Sequence, residues 1–289
     1  MIKTAEKYMN PISNTAFYCC GIRMMDAKKK RSVCKDIFAE RFMDERGMKI
    51  FEPFRSEKMP NISNITRCRI IDDYLSIELK KNQSMNVITI GAGFDTRPYR
   101  ITGGNWIEVD EPQIISYKNE KLPIKECKNP LNRISIDFAN ESLNEKLQCV
   151  DKSLDTVIVI EGVFMYLESQ AIEKTVKTIQ GMFPEHKLYC DLMTGNFFNK
   201  FAQSVHSKLA ATGGKFTDRP DKPEELFTRK NYKLLERVPM FMRAEELGIL
   251  WDEMKIPGFI AILMLNVFMK DLNGYSVFHF SYNNLQEEE

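Results

Sequence analysis

Excess charge of either sign is missing from this chain: Lys+Arg 41 stand against Asp+Glu 40 over 289 residues. A nucleic-acid binder usually carries a basic surplus, so none is expected as a partner. Paired-cysteine spacing is missing as well. Cys19, Cys20, Cys34, Cys68, Cys127, Cys149 and Cys190 form no Cys-x-x-Cys, and an odd count in so long a chain predicts free thiols in a reducing compartment. Histidine is scarce. His186, His206 and His279 are scattered and fit no metal-ligand spacing, so no metal is expected. Long apolar runs are lacking too: the most apolar stretch, GFIAILMLNVFMK (258–270), is too short to span a bilayer and holds Asn266. The first twenty residues carry polar and turn residues throughout, unlike a secretory leader. Repeats and low-complexity tracts are absent. A cytoplasmic protein that binds neither membrane nor nucleic acid is the expectation.

What is present is an α/β pattern. Hydrophobic residues make up 43%, enough for a large core without disulfides or metal. The first 85 residues read as helix. Ser13-Asn14-Thr15 offers an N-cap before AFYCCGIRMMDAKKK, Cys34 to Phe42 continues the pattern, and ITRCRIIDDYLSIELKK (65–81) puts Ile70, Ile71, Tyr74, Leu75 and Leu79 on one face. Arg69 and Asp72 read there as a structural i,i+3 pair. KKKR (28–31) reads as a solvated helix end. The period then changes. NVITI (86–90), NWIEVD (105–110), RISID (133–137), DTVIVIE (155–161) and KLYCDL (187–192) are β-rich, with helical patterns such as EPQIISYKNEKL and SQAIEKTVKTIQGMF between them. YKLLERVPM (232–240) and YSVFHFSY (275–282) supply two further strands, the second after a helix rich in Ile, Leu and Met. Strands alternating with helices predict a mostly parallel, doubly wound, seven-stranded sheet. Residues 193–230 are polar and read as a partly helical lid insertion.

The stretch NVITIGAGFDTRPYR (86–100) carries the chemical signal. A Gly-x-Gly turn after the first strand of such a sheet lets backbone come close to a ligand, outside the carboxyl ends of the strands. Glu108 and Asp110 end the second strand 17 and 19 residues after Gly91, where a carboxylate can hold both ribose hydroxyls of an adenosine. That spacing fits a nicotinamide dinucleotide and S-adenosylmethionine alike. Thr96 stands where the dinucleotide fingerprint has its third glycine, which weakens the nicotinamide reading. Asp95 is placed to cap the following helix, with Pro98 in its first turn; Arg97 and Arg100 read as braces of the loop.

GAGFDTRPYR, IEVDEP and IEGVFMYL together resemble the leucine carboxyl methyltransferase family, and more closely its bacterial branch of O-methyltransferases. NTAFYCCGIRMMDA, KDIFAERF, RCRIIDDYL and SIDFANESLNEKL are similar to further segments of that branch in the same order, so the likeness covers roughly residues 12–195. The resemblance implies a Rossmann-like class I methyltransferase domain over 86–289, with a helical extension over 1–85 and the lid at about 193–230. It implies S-adenosylmethionine as cofactor and an O-methyl transfer to a carboxylate or hydroxyl of a small molecule or chain terminus. Gly91 and Gly93 would pass under the methionine part, Asp110 would hold the ribose with Glu108 assisting, and Asp137 and Phe138 would meet the adenine. For Asp137 a plain helix N-cap stays open. Arg67 would pair with the cofactor carboxylate, Glu161 with its amino group. Arg23 and Tyr166 would lie toward the acceptor, while Phe164 and Met165 pack. A hydroxyl acceptor would need a base, and His206 is the histidine to test. A nicotinamide-dependent reductase and a non-catalytic S-adenosylmethionine-binding protein remain the alternatives.

Overall fold

The computed structural model describes residues 13–211, 216–217, 220–250 and 271–284. Residues 251–270, which hold most of the helix rich in Ile, Leu and Met expected to run to about Gly274, and the acidic QEEE end lie outside them. Seven strands form one sheet: β1 (Asn86–Ile90), β2 (Asn105–Asp110), β3 (Leu131–Ser135), β4 (Thr156–Ile160), β5 (Glu185–Met193), β6 (Lys233–Pro239) and β7 (Tyr275–Asn283). Their order is β3-β2-β1-β4-β5-β7-β6. β1 to β5 are mutually parallel, and β7 runs antiparallel between β5 and β6. The Rossmann-like, doubly wound α/β architecture expected from the sequence is therefore the one observed.

The central strands are buried on both faces, which is why they read as unbroken apolar runs rather than alternating ones. Val87, Val157, Val159, Tyr189 and Val277 point to one side, into a core with Ile71, Leu75 and Phe241. That side is covered by α1 (Thr15–Ala27) and α3 (Lys58–Lys81), with the short α2 (Glu45–Phe51) between them in the chain. Ile88, Ile158, Ile160, Leu188 and Phe278 point the other way. After α4 (Arg97–Arg100), α5 (Pro112–Lys121) and α6 (Leu143–Lys146) comes α7 (Ser169–Met182), whose Ile172, Val176, Ile179 and Met182 cover this second side. Their spacing gives one apolar helix face. Beyond β5, α8 (Gly195–Phe197) runs through a π-helical turn (Phe198–Ala202) into α9 (Gln203–Ala211); α10 (Glu225–Thr228) precedes β6, and α11 (Met240–Glu246) follows it.

Several local expectations are corrected. Cys34 to Phe42 is not a helix but an irregular segment ending in a 3-10 turn, Ala39–Phe42. The Asp26 carboxylate accepts from the backbone N–H of both Val33 and Cys34, which stops α1 and redirects the chain. α3 begins at Lys58, a full two turns before the expected start. β3 lies two residues earlier than RISID suggests, because Asp137 turns the chain by accepting from Ala139 N–H. Arg69 pairs with Asp73 at 2.7 Å, not with Asp72; Asp72 serves Arg97 and Arg100 instead.

Candidate active site

Where β1 ends, Gly91 takes φ +71° and Gly93 φ +47°. These left-handed values suit glycine and strain other residues. A Cβ on Gly91 would stand 2.4 Å from Val163 Cγ2, so the turn has no room for one. The loop is tied down from three directions. Gly91 and Ala92 donate to Val109 O, Gly93 N–H donates to Asp110 Oδ2 at 2.6 Å, and Arg23 Nη2 donates to Phe94 O at 2.7 Å. The helix after the loop, α4, is a single turn. Asp95 Oδ1 accepts from Arg97 N–H at 2.9 Å. Thr96 is fully buried and donates to Asp36 at 2.6 Å.

The loop forms one wall of a cavity of about 640 Å³ at the carboxyl ends of β1, β2 and β4. Arg23, Arg67, Gly91, Gly93, Asp110, Phe138, Glu161 and Tyr166 all line it, although they come from six separate stretches of chain. Asp110 gives Oδ2 to Gly93 and Oδ1 to Glu111 N–H at 2.7 Å. Burial pushes its carboxyl up, against those two N–H groups. Phe138 is exposed on the opposite flank, beside Ala139, Asn140 and Leu143.

Behind the loop runs a continuous chain of buried ion pairs. Arg23 meets Asp36 at 2.9 Å, Arg100 meets Asp36 and Asp72, and Arg97 meets Asp72, Asp95 and Glu161. Arg67 closes the chain, with Nε to Glu161 at 2.9 Å and Nη1 to Asp191 at 3.0 Å. Four arginines thus face five carboxylates, leaving one negative charge in excess. Burial pushes the Glu161 carboxyl up, but Arg97 and Arg67 outweigh it and hold it below the usual carboxylate range. Burial likewise works against the Asp95 carboxylate, but Arg97, Lys118, Arg100 and the Arg97 N–H together hold it below the usual carboxylate range. Asp191 also accepts from Tyr275 Oη at 2.7 Å and from Gly162 N–H at 2.6 Å.

Three sequence candidates do not line the cavity. The Asp137 carboxylate is taken up by Ala139 N–H and Asn140 Nδ2 in its own turn and does not line the cavity. Glu108 is enclosed between Lys118 at 2.7 Å and Arg133 at 2.9 Å, with no exposed surface. Two cations on that side hold it away from the site that Asp110 faces. His206 packs edge-on against Phe198 rather than lining the cavity. Sequence reasoning gave Asp36 and Asp191 no role and paired Asp72 with Arg69 instead of with Arg97 and Arg100. A charged residue inside an apolar strand, as Asp191 is within KLYCDL, was the one available signal. Among the described residues, no cluster of three or more His, Cys, Asp or Glu could hold a metal ion, and no helix is long and apolar enough to cross a membrane.

Comparison with known proteins bears on this geometry. The sequence model of leucine carboxyl methyltransferases matches residues 16–180, more than half of the chain. The chain belongs to the leucine carboxyl methyltransferase family. A Streptomyces coelicolor protein, named as an inferred S-adenosyl-L-methionine-dependent methyltransferase, is 21% identical over 57% of this chain and 60% of its own length. A Mycolicibacterium vanbaalenii protein of the same description is 28% identical over 36% of this chain and 37% of its own length. The match spans less than two thirds of either relative. Among solved structures, a duf574 family protein from Streptomyces avermitilis covers 94% of this chain and 99% of its own, with TM-score 0.58 and 11% identity. An inferred methyltransferase from Thermobifida fusca gives TM-score 0.57 and 12% identity, over 84% of this chain and 92% of its own. At such identities the likeness is one of fold, and the fold is the Rossmann-like class I methyltransferase type. The family's matched segment contains every cavity-lining candidate named above.

Proposed function

We propose that this protein is an S-adenosylmethionine-dependent O-methyltransferase acting on a carboxylate or hydroxyl of a small molecule or chain terminus. The observation that carries the reading is convergence: Gly91, Gly93, Asp110, Arg67 and Glu161 line one cavity. The residues fit the cofactor. Gly91 brings bare backbone to the cavity wall at a place where a Cβ would run into Val163, and Asp110 presents lone pairs beside the loop for two ribose hydroxyls. Phe138 offers an apolar edge for the adenine. Arg67 has Nε and Nη1 committed to Glu161 and Asp191, while Nη2 has only the soft Cys19 Sγ at 3.9 Å and remains for the cofactor's carboxylate. The surplus negative charge behind the loop favours a sulfonium over the neutral thioether left after transfer. When bound, S-adenosylmethionine supplies an electrophilic methyl whose C–S bond breaks as an acceptor oxygen bonds the carbon. Tyr166 lines the same cavity and is our choice to face the acceptor, with Arg23, which also lines it, holding the loop through Phe94 O. Alignment of two reactants in such a site can supply roughly 7–11 kcal/mol of the barrier.

Thr96 weighs against a nicotinamide cofactor: its hydroxyl is locked between Asp36 and Arg100, where the dinucleotide fingerprint needs a bare backbone. Calorimetry with S-adenosylhomocysteine and with NADH tests the reading. S-adenosylhomocysteine should bind the wild type, and Asp110→Ala should weaken it roughly tenfold or more, about 1.4 kcal/mol. Binding of NADH alone would overturn it. Transfer of label from a radiolabelled methyl donor then separates an enzyme from a binding protein.

A further inference from the structure

A second, smaller chamber of about 70 Å³ opens beside the main cavity, sharing Thr15, Cys19, Arg67, Gly162 and Tyr166 with it. An apolar cavity of about 150 Å³ takes benzene, so this one suits a smaller body, on the order of four heavy atoms. Its far wall is apolar, with Phe201, Val205, Leu209 and Phe216 from the segment after β5. Met59, Met165 and Met193 line it and do not line the main cavity. Most polar groups around it are answered within the protein. Thr15 and Tyr166 hydrogen-bond each other through their side chains. Ser63 Oγ donates to Pro60 O at 2.9 Å, and Tyr275 Oη donates to Asp191 at 2.7 Å. Asn64 Nδ2 donates to Cys19 Sγ at 3.1 Å, and Asn64 Oδ1 is closed off from any open surface. Tyr18 is the exception. It is 6% exposed and lines the chamber but not the main cavity. Its ring leans on Phe54, with centroids 4.4 Å apart. Among the described residues its hydroxyl meets no hydrogen-bond partner. That oxygen is not closed off as Asn64 Oδ1 is, so it opens into the chamber. A buried hydroxyl left unanswered is uncommon and calls for a partner. Burial pushes its pKa up, so at neutral pH it keeps a proton to donate.

We infer that this chamber receives the non-reacting end of the methyl acceptor, a compact apolar body bearing an oxygen lone pair, and that Tyr18 is the specificity-determining residue whose hydroxyl donates to that oxygen. The inference rests on the methyltransferase reading and narrows it. Thr15 and Tyr166 stand where the two spaces join, so a molecule lying past them has one end toward the cofactor cavity and the other beside Tyr18. An oxygen there answers the phenol. A hydrocarbon would leave its O–H unpaired, at the cost of a lost hydrogen bond. A neutral carbonyl or hydroxyl and a carboxylate share this lone-pair chemistry, and the probes below tell neutral from charged.

The test uses acetone, isobutene and acetate, three bodies of like size and outline; the first two differ only in an oxygen replacing a methylene. Protein with isotope-labelled methionine methyls is titrated with each by NMR, with and without saturating S-adenosylhomocysteine, and Met59, Met165 and Met193 report occupancy of the chamber. Acetone or acetate is expected to shift those three methyls with S-adenosylhomocysteine present, and to bind roughly threefold to tenfold tighter than isobutene. Acetone ahead of acetate assigns a neutral oxygen, and the reverse a carboxylate. Tyr18→Phe deletes the phenol oxygen alone. It should bring the favoured probe down to isobutene and leave the urea midpoint unchanged or higher, because no hydrogen bond within the protein is lost. Methionine signals that stay still with all three probes, or isobutene equal to or ahead of both oxygen probes, overturn the inference in the wild type, whatever the variant does. A preference that survives in Tyr18→Phe, or a lowered midpoint, overturns it as well. S-adenosylhomocysteine titrated alone separates the two failures. Its absence of binding sinks the methyltransferase reading, whereas its binding without any oxygen preference sinks only the subsite.

Discussion

Gly91 is the residue at which one added carbon meets the least tolerance. Its φ of +71° is strained for any L side chain, and the new Cβ would lie 2.4 Å from Val163 Cγ2. Gly91→Ala is expected to cost roughly 1–3 kcal/mol of stability through backbone strain and displacement of the loop, and to weaken S-adenosylhomocysteine at least tenfold. Denaturant unfolding reads the first effect and calorimetry the second. Gly93 has the same hand but nothing nearer than Ala16 Cβ at 3.6 Å, so Gly93→Ala should be the milder change. Local spacing made this part of the site readable: two glycines after an apolar run and an acid at the end of the next strand are short-range features. Asp191, Asp72 and Asp36 were not readable in that way. Asp191 acquires its meaning from Arg67, 124 residues away in the chain, and no local pattern encodes such a meeting. Asp137 shows the reverse case. Its position fits the family pattern, yet two donors within three residues claim its carboxylate first.

Among elements, α3 does the most to join the helical extension to the sheet. It carries Arg67 and Asp72 on its buried side: Arg67 meets Glu161, Asp191 and Tyr275 at the ends of β4, β5 and β7, and Asp72 meets Arg97 and Arg100 of α4. Removing one member of a buried ion pair strands the other. Asp191→Ala would leave Arg67 Nη1, Tyr275 Oη and Gly162 N–H without their shared acceptor. A loss of about 3–5 kcal/mol is expected, measurable as a lower midpoint in urea with an unchanged slope. Asp191→Asn, which keeps one acceptor oxygen, should lose less. At this scale the strands were legible because burial on both faces selects continuous β-branched runs. Boundaries were less so. The segment from Cys34 to Phe42 has apolar spacing close to that of a helix, but side-chain acceptance by Asp26 competes with the helical ladder and wins. α3 was read short because Lys58 to Asn64 gives few apolar cues, although Ile62, Ser63 and Asn64 are buried.

For the molecule as a whole, acidity should be a sensitive variable. His186 is buried, with Nδ1 donating to Phe183 O at 2.7 Å and Nε2 accepting from Tyr232 Oη at 2.7 Å. Burial pushes its pKa down to about 4 from an ordinary 6.5. The unfolded chain therefore takes up that proton first as pH falls. The stabilisation is complete above pH 6.5 and drains away toward pH 4, a loss on the order of 3 kcal/mol for this one group. Unfolding free energies measured at about pH 7 and pH 4.5 should diverge in the wild type and converge in part in His186→Gln. A flat profile in the wild type would refute this assignment of the neutral ring.

The position of β7 has a consequence for how the molecule is born. Tyr275 reaches Arg67 across 208 residues of sequence, and among the described residues β6 pairs with β7 alone. During translation, the arginine waits for its phenol and an edge strand waits for its mate until Tyr275 to Asn283 have left the ribosome. A nascent chain arrested before Tyr275 would hold all of the glycine turn and Asp110, yet an unfinished guanidinium cradle. The Arg67 cradle is thus completed later in synthesis than the glycine turn and Asp110.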